Sequence, residues 1–98
     1  MIEFEWDPKK AETNLRKHGV GFQEAATVLR DPLSITMFDP DHSESEDRYV
    51  TTGQSERGRA VAVAHADRGN RVRIISAREL TRGEREDYEK EIKRRTER

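Results

Sequence analysis

Arg48, Arg59 and Arg73 fall on stretches that read as β-strand, and Arg78 stands at the exit from the last of them. A guanidinium is a planar fork of donors that matches a phosphate or a carboxylate. Alternate residues of a strand share a face. Arginines spaced this way can therefore line a cationic groove for a phosphate backbone. They can equally pair with the chain's many acids as surface ion pairs, each contributing little. Spacing alone leaves both readings open. Histidine changes charge near neutral pH and suits proton transfer. The chain has His18, His42 and His65, each equally readable as a structural or surface residue.

Other chemistries find no support. The histidines are not at metal-ligand spacing and no cysteine accompanies them, so no zinc site is expected. The acidic stretch Asp39–Asp47 alternates oxygen side chains like a calcium loop. Glu44 stands where such a loop needs glycine, and Val50 where it needs glutamate, which leaves a solvated loop. Gly19-Val20-Gly21 lacks a third glycine and follows no strand, so it is no phosphate loop. No serine-centred elbow motif is present.

The elements that must position these groups follow from periodicity. Ile2, Phe4 and Trp6 alternate with acids and predict a short strand. Asp7-Pro8 reads as an N-cap and first helical residue, and Gly19 as the stop after His18. Ala11, Leu15 and His18 would share one face of that helix, a thin stripe that places it on the surface of the domain. Phe22, Ala25, Ala26 and Leu29 predict a second short helix, ended by Asp31-Pro32. Leu33–Phe38 is a strand candidate. Three segments joined by short polar turns, Arg48–Thr52, Arg59–Ala66 and Arg71–Ala77, read as an antiparallel meander. On the second of these, Arg59, Val61, Val63 and His65 would oppose the four alanines between Ala60 and Ala66. On the third, Arg71, Arg73, Ile75 and Ala77 would oppose Val72, Ile74 and Ser76. Thr81 and Glu84 fit a capping box that opens a last helix, with Tyr88 and Ile92 as apolar contacts. Lys93, Arg94, Arg95 and Arg98 lie at its far end. The reading is a single α+β domain over residues 1–98, of order β-α-α-β-β-β-α, with helices packed on the sheet.

Composition sets the context. Of 98 residues, 40% are charged and 32% hydrophobic, yet the net charge is only −1. Disorder requires high net charge as well as low hydropathy, so a folded domain with a very polar surface is expected. The absence of cysteine favours a reducing compartment. The first residues carry acids and no bases, unlike a signal peptide. The longest apolar run, Ala60–Ala64, is too short for a membrane helix. The small net charge hides a split. Residues 1–47 hold five Lys and Arg against eleven Asp and Glu; residues 48–98 hold fourteen against nine, mostly arginine. An arginine-rich half suggests a polyanionic partner.

Taken in order, several of these segments resemble the BrnT family. They are Phe4–Ala11, Asn14, Lys17–Val20, Phe22, Glu24-Ala25, Asp31-Pro32, Ser45–Arg48, Gly53, Gly58-Arg59, Arg73–Glu79, Glu84-Arg85 and Tyr88-Glu89. The resemblance spans nearly the whole chain. Gly21, where such proteins often have a better N-cap residue, and Leu80, where a smaller residue is common, depart from it. It implies a RelE-like α+β fold and a cytoplasmic ribonuclease toxin of a type II toxin–antitoxin system. Such a toxin arrests growth by cutting RNA and blocking translation. The implied partner is a BrnA-like ribbon-helix-helix antitoxin, forming a heterotetramer that represses its own operon and meets operator DNA only through the antitoxin. No cofactor and no membrane association are implied.

Metal-free RNA cleavage uses the ribose 2′-hydroxyl as nucleophile. The protein must then align the attack, stabilise charge on phosphorus and help the 5′-oxygen leave. On that reading Arg48, Arg59 and Arg78 clamp phosphate, with Arg73 and Lys17 as further cationic contacts. His18 or His65 transfers protons. Glu79 acts as base or orients Arg78. Tyr88 either stacks on a base or belongs to the core. The competing reading is a non-catalytic module that uses the same arginines to dock a protein or nucleic acid.

Overall fold

A short strand and a capped helix begin the chain as expected. The computed structural model describes residues 2–97, so Met1 and Arg98 lie outside the described residues. Strand β1 (Glu3–Glu5) leads into helix α1 (Pro8–His18). The Asp7 carboxylate accepts from the Lys9 N–H at 2.9 Å, satisfying one orphan donor of the first turn. Gly19 ends the helix at φ 69°, a left-handed conformation glycine adopts without a Cβ penalty. Helix α2 (Phe22–Val28) follows at once from Gly21, which supplies no side-chain cap.

The remaining strands are β2 (Ile35–Phe38), β3 (Arg48–Gln54), β4 (Ala60–Arg68) and β5 (Arg71–Glu79), with a 3-10 turn at Pro40–His42. Helix α3 (Arg82–Thr96) closes the order β-α-α-β-β-β-β-α. That is one strand more than the order read from the sequence. The added strand is β2, which bears out the Leu33–Phe38 candidate that the order had left uncounted; it is a four-residue edge strand with exposed Met37 and Phe38, so it lacks the alternating pattern of a half-buried strand. The meander holds for β2 to β5, which are antiparallel in sequence. β1 pairs with β5 in parallel, giving a mixed sheet of order β1-β5-β4-β3-β2.

The core joins α2 to one face of this sheet. Val20, Phe22, Ala25, Ala26 and Val28 meet Val61, Val63, Ile74 and Ala77, with Phe4, Trp6, Ala11 and Leu29 at its margin. Trp6 meets Phe22 edge-on at 6.0 Å between ring centroids, a favourable quadrupole geometry. α2 approaches β3 closely at Gly53. A Cβ there would lie 3.0 Å from the Ser34 Cβ and 3.2 Å from a Val28 methyl carbon.

Two expectations about faces need correction. On α1 the buried residue is Asn14, while Leu15 is exposed. The Asn14 amide donates to the Ala77 carbonyl at 2.8 Å and to the Val20 carbonyl at 2.9 Å, and accepts from the Ala77 N–H at 3.1 Å. β1 pairs only with the first part of β5 (Arg71–Arg73), and Asn14 serves as the missing neighbour farther along. On β5, a bulge between Ala64 and His65 of β4 skips Ile75 in the register. Ala77 therefore joins Val72 and Ile74 on the helix side, while Arg73, Ser76 and Arg78 share the other face. The expectation that helices pack on the sheet holds for α1 and α2. α3 has no buried residue and is half-buried only at Tyr88, Glu91 and Ile92.

Candidate functional site

The register fixes which arginines can act together. Arg48 pairs across β3 and β4 with Ala66, and Ala66 pairs across β4 and β5 with Arg73. Directly paired residues share a face. Arg48, Ala66 and Arg73 thus form a row on the face away from α2. Two rows further along, Thr52, Ala62 and Arg78 form another. Between them lie Val50, Ala64 and Ser76. Four residues of strand separate Ala66 from Ala62, roughly 13 Å. The face has a floor of small side chains with arginines at both ends.

α1 delivers His18 and Lys17 to the same face. Because Asn14 ties α1 to the free part of β5, the end of the helix sits beside Ser76. His18, Val50, Ala62, Ala64, Ser76 and Arg78 line a cavity of about 220 Å³. A second groove, about 310 Å³, runs past Lys9, Lys10, Lys17, His18 and Ser76. Lys17 lies in the last turn of the helix, where the dipole favours positive charge.

Each arginine of this face is held by a carboxylate. Arg78 makes a two-pronged pair with Glu84 at 2.7 and 2.8 Å. The Thr81 N–H also donates to Glu84, so the capping box of α3 and the Arg78 clamp share one carboxylate. The Arg78 hydrogen bond, helped by the Thr81 backbone, lowers the Glu84 carboxyl to about 2. The same bond raises the Arg78 guanidinium. At the other end Glu46 contacts Arg73, Arg68 at 3.0 Å and Arg48 at 3.7 Å. Its carboxyl is lowered, first by the hydrogen bond from Arg68.

Arg59 and Glu79 lie elsewhere. The Arg59 guanidinium turns to the α2 side, donating to Glu24, to the Gly19 carbonyl at 2.9 Å and to Glu79 at 3.4 Å. Glu24 is 6% exposed and also accepts from Ser55 at 2.7 Å. Its carboxyl is lowered, first by the Arg59 hydrogen bond, against the opposing effect of burial. Glu79 offers its carboxylate to Arg59; only its backbone carbonyl meets Arg78.

His65 is 3% exposed on the same helix-side face. Its ring nitrogens bond Asp67 and Thr51, each at 2.7 Å, and Thr51 continues to Thr36 at 2.7 Å. Tyr49 stacks on the ring at 5.9 Å between centroids. Both nitrogens are thus committed within the sheet. His42, in the 3-10 turn, bonds Asp39. Tyr88 shares with Arg59 and Glu79 a groove of about 530 Å³, beside Asp31, Gln54 and Ile92 and apart from the Arg48–Arg78 face. Burial raises its phenol, with Asp31 adding to the effect.

Of the residues singled out from the sequence, the structure brings together Arg48, Arg73, Arg78, His18 and Lys17 on one face. It separates Arg59, Glu79, His65 and Tyr88 from them. Sequence reasoning missed Arg68, Glu46, Asn14 and Glu24. Glu24 had a signal, since it sits among the apolar residues of α2. Glu46 lies in the Ser45–Arg48 segment that carries the family resemblance, but its meeting with Arg68 depends on a non-local contact that no spacing displays.

The comparisons bear on this arrangement. The family model described as the BrnT ribonuclease toxin of type II toxin–antitoxin systems matches residues 6–84. A search of curated proteins gave no match. Among solved structures, the crystal structure of the Brucella abortus ribonuclease toxin BrnT is similar in fold, with a TM-score of 0.62 at 22% identity. That similarity covers 84% of this chain and all of the other. The stretch matched by the family model runs from Trp6, before α1, to the capping-box Glu84. The chain belongs to the BrnT ribonuclease toxin family of type II toxin–antitoxin systems.

Proposed function

We propose that this protein is a metal-independent endoribonuclease with a RelE-like fold, acting in the cytoplasm to block translation. A BrnA-like ribbon-helix-helix antitoxin neutralises it in a heterotetramer, and operator DNA is reached only through that partner. The reading rests chiefly on one observation: three arginines and a histidine rim a floor of small side chains on the helix-free face.

RNA supplies its own nucleophile, the 2′-hydroxyl. The protein's part is alignment, charge stabilisation and proton transfer. Arg48 and Arg73 hold one phosphate of the strand and Arg78 another, with Lys17 adding positive charge. His18, beside Arg78, takes the 2′-hydroxyl proton or gives one to the leaving 5′-oxygen. Small residues at Ala62, Ala64 and Ser76 let the sugar-phosphate chain approach the sheet. Arg59, Glu79 and His65 serve the scaffold: Arg59 neutralises Glu24, and His65 cross-links strands.

The test is cleavage of a defined RNA by purified protein, with chelator present throughout. His18→Gln and Arg78→Ala should each lower the rate by about 100-fold or more, the usual scale for a proton-transfer group or a charge stabiliser, with both variants still fully folded at the assay temperature. Full activity in both variants would remove this site. Tight RNA binding without cleavage by the wild type would favour the non-catalytic docking module.

A further inference from the structure

The end of the face around Glu46 carries more than an ion pair. Three guanidinium groups, from Arg48, Arg68 and Arg73, surround a single carboxylate. Arg48 and Arg73 flank Ala66 in one cross-strand row, and Arg68 lies two residues further on β4, on the same face. Glu46 comes from the acidic loop that precedes β3 and reaches across them. Its side chain is 18% exposed, and Ala66 between the arginines is 1% exposed. The cluster keeps a surplus of positive charge. The Arg48 Nε–H is buried without a hydrogen-bond partner, a donor the carboxylate does not satisfy.

A carboxylate and a phosphodiester oxygen pair offer the same two-acceptor edge to a guanidinium. We propose that Glu46 is an internal phosphate mimic, occupying a three-arginine subsite for an RNA phosphodiester that the strand takes over when the loop swings aside. The subsite lies roughly 13 Å of strand from the Arg78 end, so one RNA strand crossing the small-residue floor reaches both. The inference rests on the ribonuclease reading and deepens it: Arg68 becomes an RNA contact, and the loop becomes a competitor that weakens RNA binding.

Glu46→Gln keeps the side chain's shape and removes its charge. The probe is a single-stranded RNA oligonucleotide with 2′-O-methyl riboses, which binds but cannot be cut. Its affinity is read by fluorescence anisotropy across a salt series. Glu46→Gln should bind about tenfold more tightly, the scale of one charge-assisted hydrogen bond gained. The slope of log affinity against log salt should steepen by about 0.7, for one more neutralised phosphate on a single strand. Glu44→Gln makes the same charge change in the same loop at a residue with no ion pair among the described residues, and should shift affinity less than about twofold. Arg68→Ala, at an exposed position, should weaken binding several-fold and flatten the slope by about 0.7; it decides the matter should Glu46→Gln fail to fold.

Equal gains from Glu46→Gln and Glu44→Gln would overturn the proposal, because the effect would then be bulk charge. Weaker or unchanged binding by Glu46→Gln would also overturn it, because Glu46 would merely hold the arginines in place. Unmodified RNA separates this from the enzyme reading. Cleavage by the wild type with no gain in Glu46→Gln sinks the mimic alone. A gain in binding without cleavage by any variant supports the mimic and sinks the enzyme.

Discussion

Replacing Arg59 by methionine leaves Glu24 charged, 6% exposed, and held only by the Ser55 hydroxyl and by Arg57 at 3.9 Å. Breaking a buried pair on one side costs about 3–5 kcal/mol, because the remaining charge is desolvated without compensation. A domain of this length has a total stability of about 5–15 kcal/mol. At about 4–8 °C per kcal/mol, Arg59→Met should melt at least about 12 °C below wild type. Toxicity and RNA cleavage would fall with the folded fraction near the lowered melting point, and a simple alanine scan would score Arg59 as essential. The double change Glu24→Gln with Arg59→Met removes both charges at similar volume, which is often neutral. It keeps an acceptor for Ser55 and the apolar stem of the arginine. The double variant should melt within about 5 °C of wild type and cleave RNA at close to the wild-type rate. Differential scanning calorimetry and a single-turnover cleavage assay read the two quantities separately. A double variant that melts like wild type yet cleaves about 100-fold slower would refute the reasoning and put Arg59 in the chemistry.

Two further outcomes follow from the geometry. Asn14→Ala strands two carbonyls and one N–H in a buried setting, at Val20 and Ala77. It should cost about 3 kcal/mol or more and speed amide exchange at Ala77, read by hydrogen exchange. Glu24 and Glu84 both have carboxyls lowered in the fold, Glu84 from the ordinary 4.5 to about 2. Each therefore contributes stability that is fully present above the ordinary carboxylate range and is lost as pH falls, for Glu84 down to about 2. Denaturant midpoints should drop steadily from pH 5 to pH 2, and Arg78→Ala should remove the Glu84 part of that drop. A flat profile in wild type would show that neither pair is formed in solution.

What the sequence displayed was local chemistry. Asp7-Pro8 and Gly19 bound α1, and Thr81 with Glu84 opens α3, because caps involve groups within three or four residues. The β4–β5 turn, legible as residues 67–70, was placed for the same reason, although β4 runs on to Arg68 and narrows it to Gly69-Asn70. Non-local pairing was not. Nothing near Ile2–Trp6 says that β1 lies parallel to β5, since the partner is more than sixty residues away. The bulge at Ile75 has no composition of its own, yet it moved Ala77 into the core and set Arg73 and Arg78 on one face. Arg59 obeyed its strand parity and so left the group to which its residue type had assigned it. Asn14 and Glu24 are polar residues inside the fold, and burial of a polar residue is set by the distant groups that satisfy it.

The same charge statistics shape how the proposed site works. With 40% of residues charged and a net charge of −1, nearly every cation can find an anion of its own. At the site every arginine has a carboxylate, though three must share one: Arg78 holds Glu84, and Arg48, Arg68 and Arg73 share Glu46. RNA binding is then an exchange, in which a phosphate replaces a carboxylate on the same guanidinium. Each exchange trades one charge-assisted pair for another and is nearly balanced in free energy. A single phosphate gains little from it. Several phosphates on one strand, spaced to match the two ends of the face, gain together, because the later exchanges are intramolecular. The arrangement therefore selects extended polyanions over free phosphate or mononucleotides. The Glu84 exchange carries a second consequence. Glu84 also caps α3 through the Thr81 N–H, so a phosphate that draws Arg78 away leaves that cap intact. The helix start need not loosen when the site fills, and α3 can remain in place while the loop bearing Glu46 moves.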